Sequence, residues 1–250
     1  RADMWTLTLT GPAGGPATLP ICLVTPGEFN QARAIRRLSP RERVLLRRRG
    51  APAARADFIA GRLAARALMG PGFEVLTGGH GEPVVAVGGC RRVPGITLSI
   101  SHSRGFGMAG LIVGEGWRLG VDVESRKELS GHLRARVLTE RERRRVVRSG
   151  AARSGLVALE HWVLKEAALK AIGARAGVAS LRASSGAFEV VRLSREDACW
   201  RRRASRWPWC WRRDDPGRDR RGHAACHIIE PALEIVAGAR HRDHVRRARL

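Results

Sequence analysis

The chain has 250 residues, and its 46 Lys and Arg against 23 Asp and Glu give a net charge of +23. A hydrophobic content of 44% argues against a disordered chain, and no apolar run of about 18 residues is present to form a membrane-spanning helix. The length allows one large domain or two of about 100–150 residues. Only three of the basic residues are Lys, at positions 127, 165 and 170, so 43 are Arg.

The high positive charge has two interpretations. It is either a solvated arginine-rich surface or a surface for an acidic partner, such as nucleic acid, anionic lipid, a polyanionic small molecule or an acidic protein. The five cysteines include no CxxC pair, which argues against a disulfide framework or a zinc ribbon. Since the start of the chain also lacks a secretory pattern, we expect a cytoplasmic location. A metal site at His223, Cys226 and His227 is an alternative that nothing else supports.

Periodicity and capping residues place four helices in the chain. Ser39 and Thr139 are each followed three residues later by a glutamate, Glu42 and Glu142, which predicts a capping box at the start of two helices. The predicted helices cover residues 40–49, 54–69, 139–148 and 156–172, with Gly70 and Gly173 as helix ends.

Two segments alternate as strands do. Residues 96–101 alternate Ile or Leu with Thr or Ser, which predicts a half-buried strand. Residues 117–124 alternate more regularly, so that Asp122 and Glu124 lie on the same side as Gly120. Short strands are also predicted near residues 73–76 and 188–191.

The chain resembles itself at an offset near 100 residues. Residues 38–42 resemble residues 138–142. An aromatic residue followed by polar groups at i+4 and i+8 occurs twice, as Phe58, Arg62 and Arg66 and again as Trp162, Glu166 and Lys170. Because these matches occur in the same order, they predict an α/β (α+β) protein of two similar halves, residues 1–116 and 117–250.

Three groups of residues contain side chains suited to binding a metal ion, transferring a proton or contacting a phosphate. Asp122 and Glu124 present two carboxylates together, which suits Mg²⁺ with substrate phosphates, although a solvent-facing acidic strand end paired with Arg fits equally well. Glu166 and Lys170 are helical neighbours, and lysine is a compact charge suited to phosphate contact or proton transfer. Ser101 and His102 lie at a strand end beside a glycine, a setting suited to a phosphate.

Together, the Ser101-His102 pair, the strand Gly120 to Glu124 and the helix segment Trp162 to Ala171 resemble the 4′-phosphopantetheinyl transferases of the surfactin-synthetase type. The resemblance covers about residues 36–192, and the family fold is a pair of α/β halves related by a pseudo-twofold axis. It implies transfer of 4′-phosphopantetheine from coenzyme A to a serine of an apo acyl or peptidyl carrier protein, with adenosine 3′,5′-bisphosphate as the second product. The carrier is expected to be acidic and the enzyme monomeric, with secondary metabolite biosynthesis as the setting.

The same resemblance assigns roles to individual residues. Asp122, Glu124 and Glu166 are expected to hold Mg²⁺, and Glu166 is also the candidate base for the carrier serine. Lys170 is expected to stabilise the departing oxygen. The expected contacts to coenzyme A come from His102, Ser101, Lys165, Arg55 and Arg62.

Two features depart from the family pattern. Gly81-Glu82-Pro83 carries an acid where the family has a cation, and residues 200–221 form an irregular segment rich in Arg and Trp. The second feature predicts either an insertion or a disturbed reading frame. The alternatives to an active transferase are therefore a catalytically impaired homologue and a basic nucleic-acid-binding protein.

Overall fold

A computed structural model of the chain describes residues 2–10, 16–27, 29–89, 91–114, 117–125, 129–172, 189–192 and 232–239. Several predictions fall outside these residues: the helix end at Gly173, the segment 200–221, and the alternative metal site at His223, Cys226 and His227.

The described elements are groups of strands separated by two groups of three helices. In chain order they are β1 (Ala2–Thr10), β2 (Pro16–Val24), α1 (Gln31–Arg37), α2 (Pro40–Arg47), α3 (Pro52–Met69), β3 (Phe73–Thr77), β4 (Pro83–Val87), β5 (Arg91–Arg92), β6 (Ile96–Ser103), β7 (Phe106–Val113), β8 (Trp117–Glu124), α4 (Gly131–Val137), α5 (Glu140–Arg148), α6 (Ala151–Ile172), β9 (Glu189–Arg192) and β10 (Ala232–Ala239).

The strands form three antiparallel sheets, which confirms a mixed helix and strand protein. The sheet orders are β1-β2-β7-β6, β8-β10-β9 and β3-β4-β5. β6 and β8 are therefore both edge strands of their sheets, and they lie next to each other. The two halves related by a pseudo-twofold axis, with a boundary after residue 116, stay a prediction.

Four of the six described helices correspond to the predicted ones. Both capping boxes form, since Ser39 and Thr139 each accept from the backbone of the glutamate three residues later, and that glutamate accepts from the capping residue. Gly70 ends α3 in a positive-φ conformation, as predicted. Neither α1 nor α4 was predicted, because seven residues are too short to show a helical period.

The core lies on both faces of the first sheet. One face packs against β8 through nine buried residues: Leu19, Ile21, Leu23, Phe106, Met108, Ile112, Leu119, Val121 and Val123. The other face packs against α3, which approaches so closely that a Cβ on Gly107 would lie 2.1 Å from the Ala60 carbonyl carbon. A third cluster joins α4, α5 and α6. The second sheet is thus fixed to the first through β8.

A row of hydroxyl groups joins β6 to β8. Thr97 Oγ1 donates to the Trp117 carbonyl at 3.2 Å, and Ser99 Oγ accepts from the Val121 amide at 3.0 Å. Ser101 Oγ accepts from the Val123 amide, and Ser103 continues the row. We call Thr97, Ser99, Ser101 and Ser103 the hydroxyl seam.

The hydroxyl seam corrects the prediction of a half-buried strand. Ser99 and Ser101 are 3% and 4% exposed, so the polar face of β6 is turned to a neighbouring strand and not to water. The alternation identified the two faces of the strand correctly. It could not show that the polar face has protein partners.

Both capping glutamates lie beside two basic side chains of the long helix that follows. Arg66 Nη2 lies 2.8 Å from Glu42 Oε2, and Arg62 Nε lies 3.8 Å from Glu42 Oε1. Lys165 Nζ lies 2.6 Å from Glu142 Oε2, and His161 Nδ1 lies 3.9 Å from Glu142 Oε1. The structure therefore aligns Arg62 and Arg66 with His161 and Lys165, whereas the sequence match had aligned them with Glu166 and Lys170.

Candidate active site

Helix α6 lies directly on strand β8 at Gly120. A Cβ at this position would lie 1.8 Å from the Ala167 carbonyl oxygen and 2.9 Å from the Ala171 amide nitrogen. Only glycine allows this approach, because both obstacles are backbone atoms that no side-chain rotation can move. The contact places the polar face of α6 beside the two carboxylates of β8.

Asp122 lies at the centre of the site. Its Oδ1 accepts from Lys170 Nζ at 2.6 Å and from Ser101 Oγ at 2.6 Å, while the buried Oδ2 has no hydrogen-bond partner among the described residues. Burial raises the pKa of Asp122, against the opposing effect of Lys170 and Ser101, and the nearby Glu124 adds to the rise. A buried carboxylate with one unpartnered oxygen is suited to a further cation.

Glu124 is held by two neighbours that sequence reasoning did not assign. Ser103 Oγ donates to its Oε2 at 2.6 Å, and Trp162 Nε1 donates to its Oε1 at 3.3 Å. The signal for Ser103 was present in the sequence, since it continues the two-residue spacing of Ser99 and Ser101. Together these bonds hold the second carboxylate on the same strand face as Asp122.

The two carboxylates of β8 fit Mg²⁺, and the part expected of Glu166 in holding it stays a prediction. Among the residues that the structure describes, no three acidic, histidine or cysteine side chains gather as metal ligands. Glu166 is half-buried on α6, one turn from Trp162 and one turn from Lys170, and so shares their helix face. Mg²⁺ commonly takes one or two carboxylates together with substrate phosphates and waters, so Asp122 and Glu124 suffice for its chemistry.

Lys165 lies on a different face of α6 from Lys170. Its Nζ donates to Glu142 at 2.6 Å and to the Val137 carbonyl at 2.7 Å, and the residue is 8% exposed. The expected pairing of the two lysines on phosphate is therefore not what the structure shows, since Lys165 ties α6 to α4 and α5. Five residues along a helix correspond to a rotation of about 140°, which separates the two side chains.

His102 lies at the end of β6, near Lys170. Burial by surrounding protein lowers the pKa of His102 although the residue keeps an exposed face; Asp57 opposes this effect, and Lys170 and Arg49 add to it. Asp57, which sequence reasoning did not assign, accepts from the Gly105 amide and fixes the turn beside His102. A neutral imidazole surrounded by cations is suited to an anionic ligand.

The two arginines of α3 have different settings. Arg55 is exposed in the first turn of the helix. Arg62 is 9% exposed, with its guanidinium 4.8 Å from the centre of the Phe58 ring, and burial lowers its pKa to about 10 despite the nearby Glu42. Arg62 therefore contributes first to the packing of α3 on α2. The contacts of Arg55 and Arg62 with coenzyme A stay predictions.

Comparison with known protein families points to one group. Residues 118–226 match the family model of the 4′-phosphopantetheinyl transferase superfamily. The match begins within β8 and includes Asp122, Glu124 and Lys170, so this region is similar to the superfamily that the sequence resembles. Phosphopantetheine transfer is the activity of that superfamily in general. No curated protein sequence matches the chain.

The described part of the chain contains no helix long and apolar enough to cross a membrane. The site itself combines two carboxylates on one strand, a lysine and a glutamate on one helix face, and a histidine at a strand end. This set can bind a cation and an anionic phosphate group side by side, as transfer of a phosphoryl-type group requires.

Proposed function

We propose that the protein transfers the 4′-phosphopantetheine group of coenzyme A to a serine of an apo acyl or peptidyl carrier protein. The observation that carries the proposal is the meeting of Asp122 and Glu124 on β8 with Lys170 on α6, within the region that matches the transferase superfamily. The surfactin-synthetase type, a cytoplasmic location, a monomeric state and a role in secondary metabolism belong to the same proposal.

Each residue of the site has a role in the proposed reaction. Asp122 and Glu124 would hold Mg²⁺, which when bound neutralises charge on the coenzyme A pyrophosphate. Glu166 accepts the proton of the carrier serine, directly or through a water. The serine oxygen forms a bond to the phosphorus of the phosphopantetheine phosphate. The bond to adenosine 3′,5′-bisphosphate breaks and its electron pair leaves with that product, while Lys170 stabilises the departing oxygen.

His102 and Arg55 bind the nucleotide in this proposal, and Ser101 positions a carboxylate. His102 binds the 3′-phosphate, supported by its position near Lys170 and among cations. Ser101 acts by orienting Asp122, since its hydroxyl donates to that carboxylate. Arg55 is placed as a surface contact of the nucleotide.

The test uses the full chain with coenzyme A, Mg²⁺ and a panel of apo carrier proteins, with the mass of each carrier as the readout. We expect a mass increase of one phosphopantetheine group on at least one carrier. Asp122→Ala and Glu166→Ala are expected to abolish it without unfolding the protein, whereas Glu140→Ala, which removes an exposed carboxylate of α5, is a matched control.

Three outcomes contradict the proposal in different ways. Near-normal transfer by Asp122→Ala or Glu166→Ala contradicts the assigned roles. A folded wild-type protein that modifies no carrier supports the impaired homologue. Salt-sensitive binding of nucleic acid that is indifferent to Asp122→Ala, together with no transfer, supports a nucleic-acid-binding protein.

A further inference from the structure

The turn that joins β6 to β7 has an uncommon backbone conformation. Ser103 pairs with Phe106, so the turn itself consists of two residues, Arg104 and Gly105. Their φ angles are +49° and +83°, and two successive positive values are typical of a type I′ turn. In the part of the chain that the structure describes, Arg104 is the only residue other than glycine with a positive φ. Since a side chain is disfavoured there, the turn needs support from the surrounding structure.

Asp57 of α3 supplies this support. Its Oδ1 accepts from the Gly105 amide, which has no partner across the hairpin because it lies within the turn. One helical turn further along α3, the backbone of Ala60 lies so close to Gly107 that a Cβ on that glycine would be 2.1 Å from the Ala60 carbonyl carbon. The bond from Asp57 is therefore part of a close contact between α3 and the hairpin, and it fixes the end of the hairpin against the helix.

His102 lies between this turn and α3. A Cβ on Gly61 of α3 would be 3.6 Å from His102 Cδ2, so the imidazole lies against the helix at a residue without a side chain. Three charged side chains from three segments face the imidazole: Asp57 on α3, Lys170 on α6 and Arg49 after α2. The two cations attract a phosphate group to His102, whereas the carboxylate of Asp57 would repel it. The hydrogen bond to Gly105 thus gives Asp57 a role that does not require contact with the phosphate.

We propose that Asp57 is a positioning residue of the nucleotide site, which holds the β6–β7 turn through Gly105 and thereby directs His102 toward the 3′-phosphate of coenzyme A. The inference rests on the role proposed above for His102. Only two residues separate Asp57's hydrogen-bond partner from the imidazole, and a shift of the turn is passed to His102 through the strand backbone. A group that binds a phosphate must be held in place by its supporting residues, since small displacements weaken the contact.

The experiment uses four single variants of the full chain. Asp57→Ala removes the hydrogen bond to the turn, and Asp57→Asn keeps an oxygen that can accept it. Gly105→Ala strains the same turn while Asp57 is kept, because φ is +83° and the added Cβ would lie 3.4 Å from Pro26. Gly72→Ala is the matched control, since φ is +86° there and a Cβ would meet nothing in the described structure within 4 Å.

The measurement compares two co-substrates that differ only in the 3′-phosphate. KM is determined for coenzyme A and for 3′-dephospho-coenzyme A, in transfer to an apo carrier that the wild-type protein modifies. The assay is run at about pH 8. Burial lowers the pKa of His102, and loss of the Asp57 charge lowers it further, so the imidazole is neutral in every variant at this pH. A change in KM then reports the position of His102 and not its charge.

We expect Asp57→Ala and Gly105→Ala to raise KM for coenzyme A about fivefold, which is the effect of one weakened contact to a charged group. KM for 3′-dephospho-coenzyme A should stay close to the wild-type value in both variants, because this co-substrate lacks the group that His102 binds. Asp57→Asn should restore KM for coenzyme A to within about twofold of the wild type. The control Gly72→Ala should match the wild type with both co-substrates.

Several results overturn the inference. Equal changes of KM for the two co-substrates in Asp57→Ala show that Asp57 has only a structural role. An Asp57→Asn protein as impaired as Asp57→Ala shows that the charge acts, and not the hydrogen bond to the turn. If circular dichroism shows that Asp57→Ala does not fold, Gly105→Ala decides: a rise of KM for coenzyme A alone supports the inference, and any other result overturns it.

Failure of the proposed function is distinguishable from failure of the inference. If the wild-type protein modifies no carrier, the proposed function fails, and calorimetry with adenosine 3′,5′-bisphosphate and with adenosine 5′-phosphate replaces the transfer assay. Weaker binding of the bisphosphate alone in Asp57→Ala supports the positioning role. Unchanged affinities in Asp57→Ala, or no binding of the bisphosphate by the wild type, overturn it.

Discussion

The close contact between α6 and β8 makes Gly120→Ala the most informative single substitution. The added Cβ would lie 1.8 Å from the Ala167 carbonyl oxygen, against about 3.4 Å for an ordinary contact. Since the obstacle is backbone, α6 must move outward by about 1.6 Å. The Lys170 Nζ to Asp122 Oδ1 distance, 2.6 Å at present, then leaves hydrogen-bond range.

The expected loss is larger for catalysis than for stability. Overpacking of this kind costs about 3 kcal/mol, which corresponds to a fall in Tm of about 6–12 °C for a chain of this size. Misplacement of catalytic groups by about 1 Å reduces rates about 100-fold. We therefore expect Gly120→Ala to remain folded at room temperature and to lose about 99% of its transfer rate.

The assay measures transfer to a carrier by mass and unfolding by circular dichroism on the same preparation. Gly131→Ala, at the first residue of α4, is the matched control, because a Cβ there meets nothing within 4 Å. Wild-type transfer rate and Tm in Gly120→Ala would refute the view that this glycine sets the distance between α6 and the carboxylates. An equal loss in Gly131→Ala would refute it as well.

Three further predictions concern the neighbours of the site. Lys165→Met should lower the free energy of unfolding by about 2 kcal/mol in urea titrations, because the lysine bonds Glu142. KM for coenzyme A should stay unchanged, and a large rise in that KM would indicate that Lys165 binds a phosphate. The folded-state pKa of Glu142 is lowered, so its contribution to stability is present above its unfolded pKa and is lost as pH falls through the folded value. Urea unfolding at about pH 7 and about pH 4 should therefore show a smaller decrease in the free energy of unfolding for Lys165→Met than for the wild type. Trp162→Phe removes a bond to Glu124 and should raise the Mg²⁺ concentration for half-maximal rate about tenfold, as followed by a Mg²⁺ titration of the transfer rate; an unchanged titration contradicts the positioning role.

The sequence predicted the elements of the site better than the contacts between them. Alternation in residues 117–124 placed Asp122 and Glu124 on one face of β8, and the helical spacing placed Glu166 and Lys170 together on α6. These are properties of local geometry, which periodicity reports directly. The capping boxes at Ser39 and Thr139 were predictable for the same reason.

Such patterns could not predict contacts between residues that are far apart in the sequence. Lys165 and Lys170 look alike in the sequence, and only the packing of α5 on α6 shows that Lys165 binds Glu142. The burial of Ser99 likewise depends on β8, which lies about 20 residues further along the chain. The sequence match used aromatic spacing, which equated Arg66 with Lys170. In the structure the cations that bind the two capping glutamates are Arg66 and Lys165.

The hydroxyl seam has a consequence for folding during synthesis. The strands of the first sheet are all translated before β8, so the edge of β6 must wait in water for its partner. An apolar strand edge in that state invites pairing with another chain. Thr97, Ser99, Ser101 and Ser103 bind water until β8 emerges and then exchange it for the new strand. A polar edge of this kind makes β6 less prone to pair with another chain before β8 is in place.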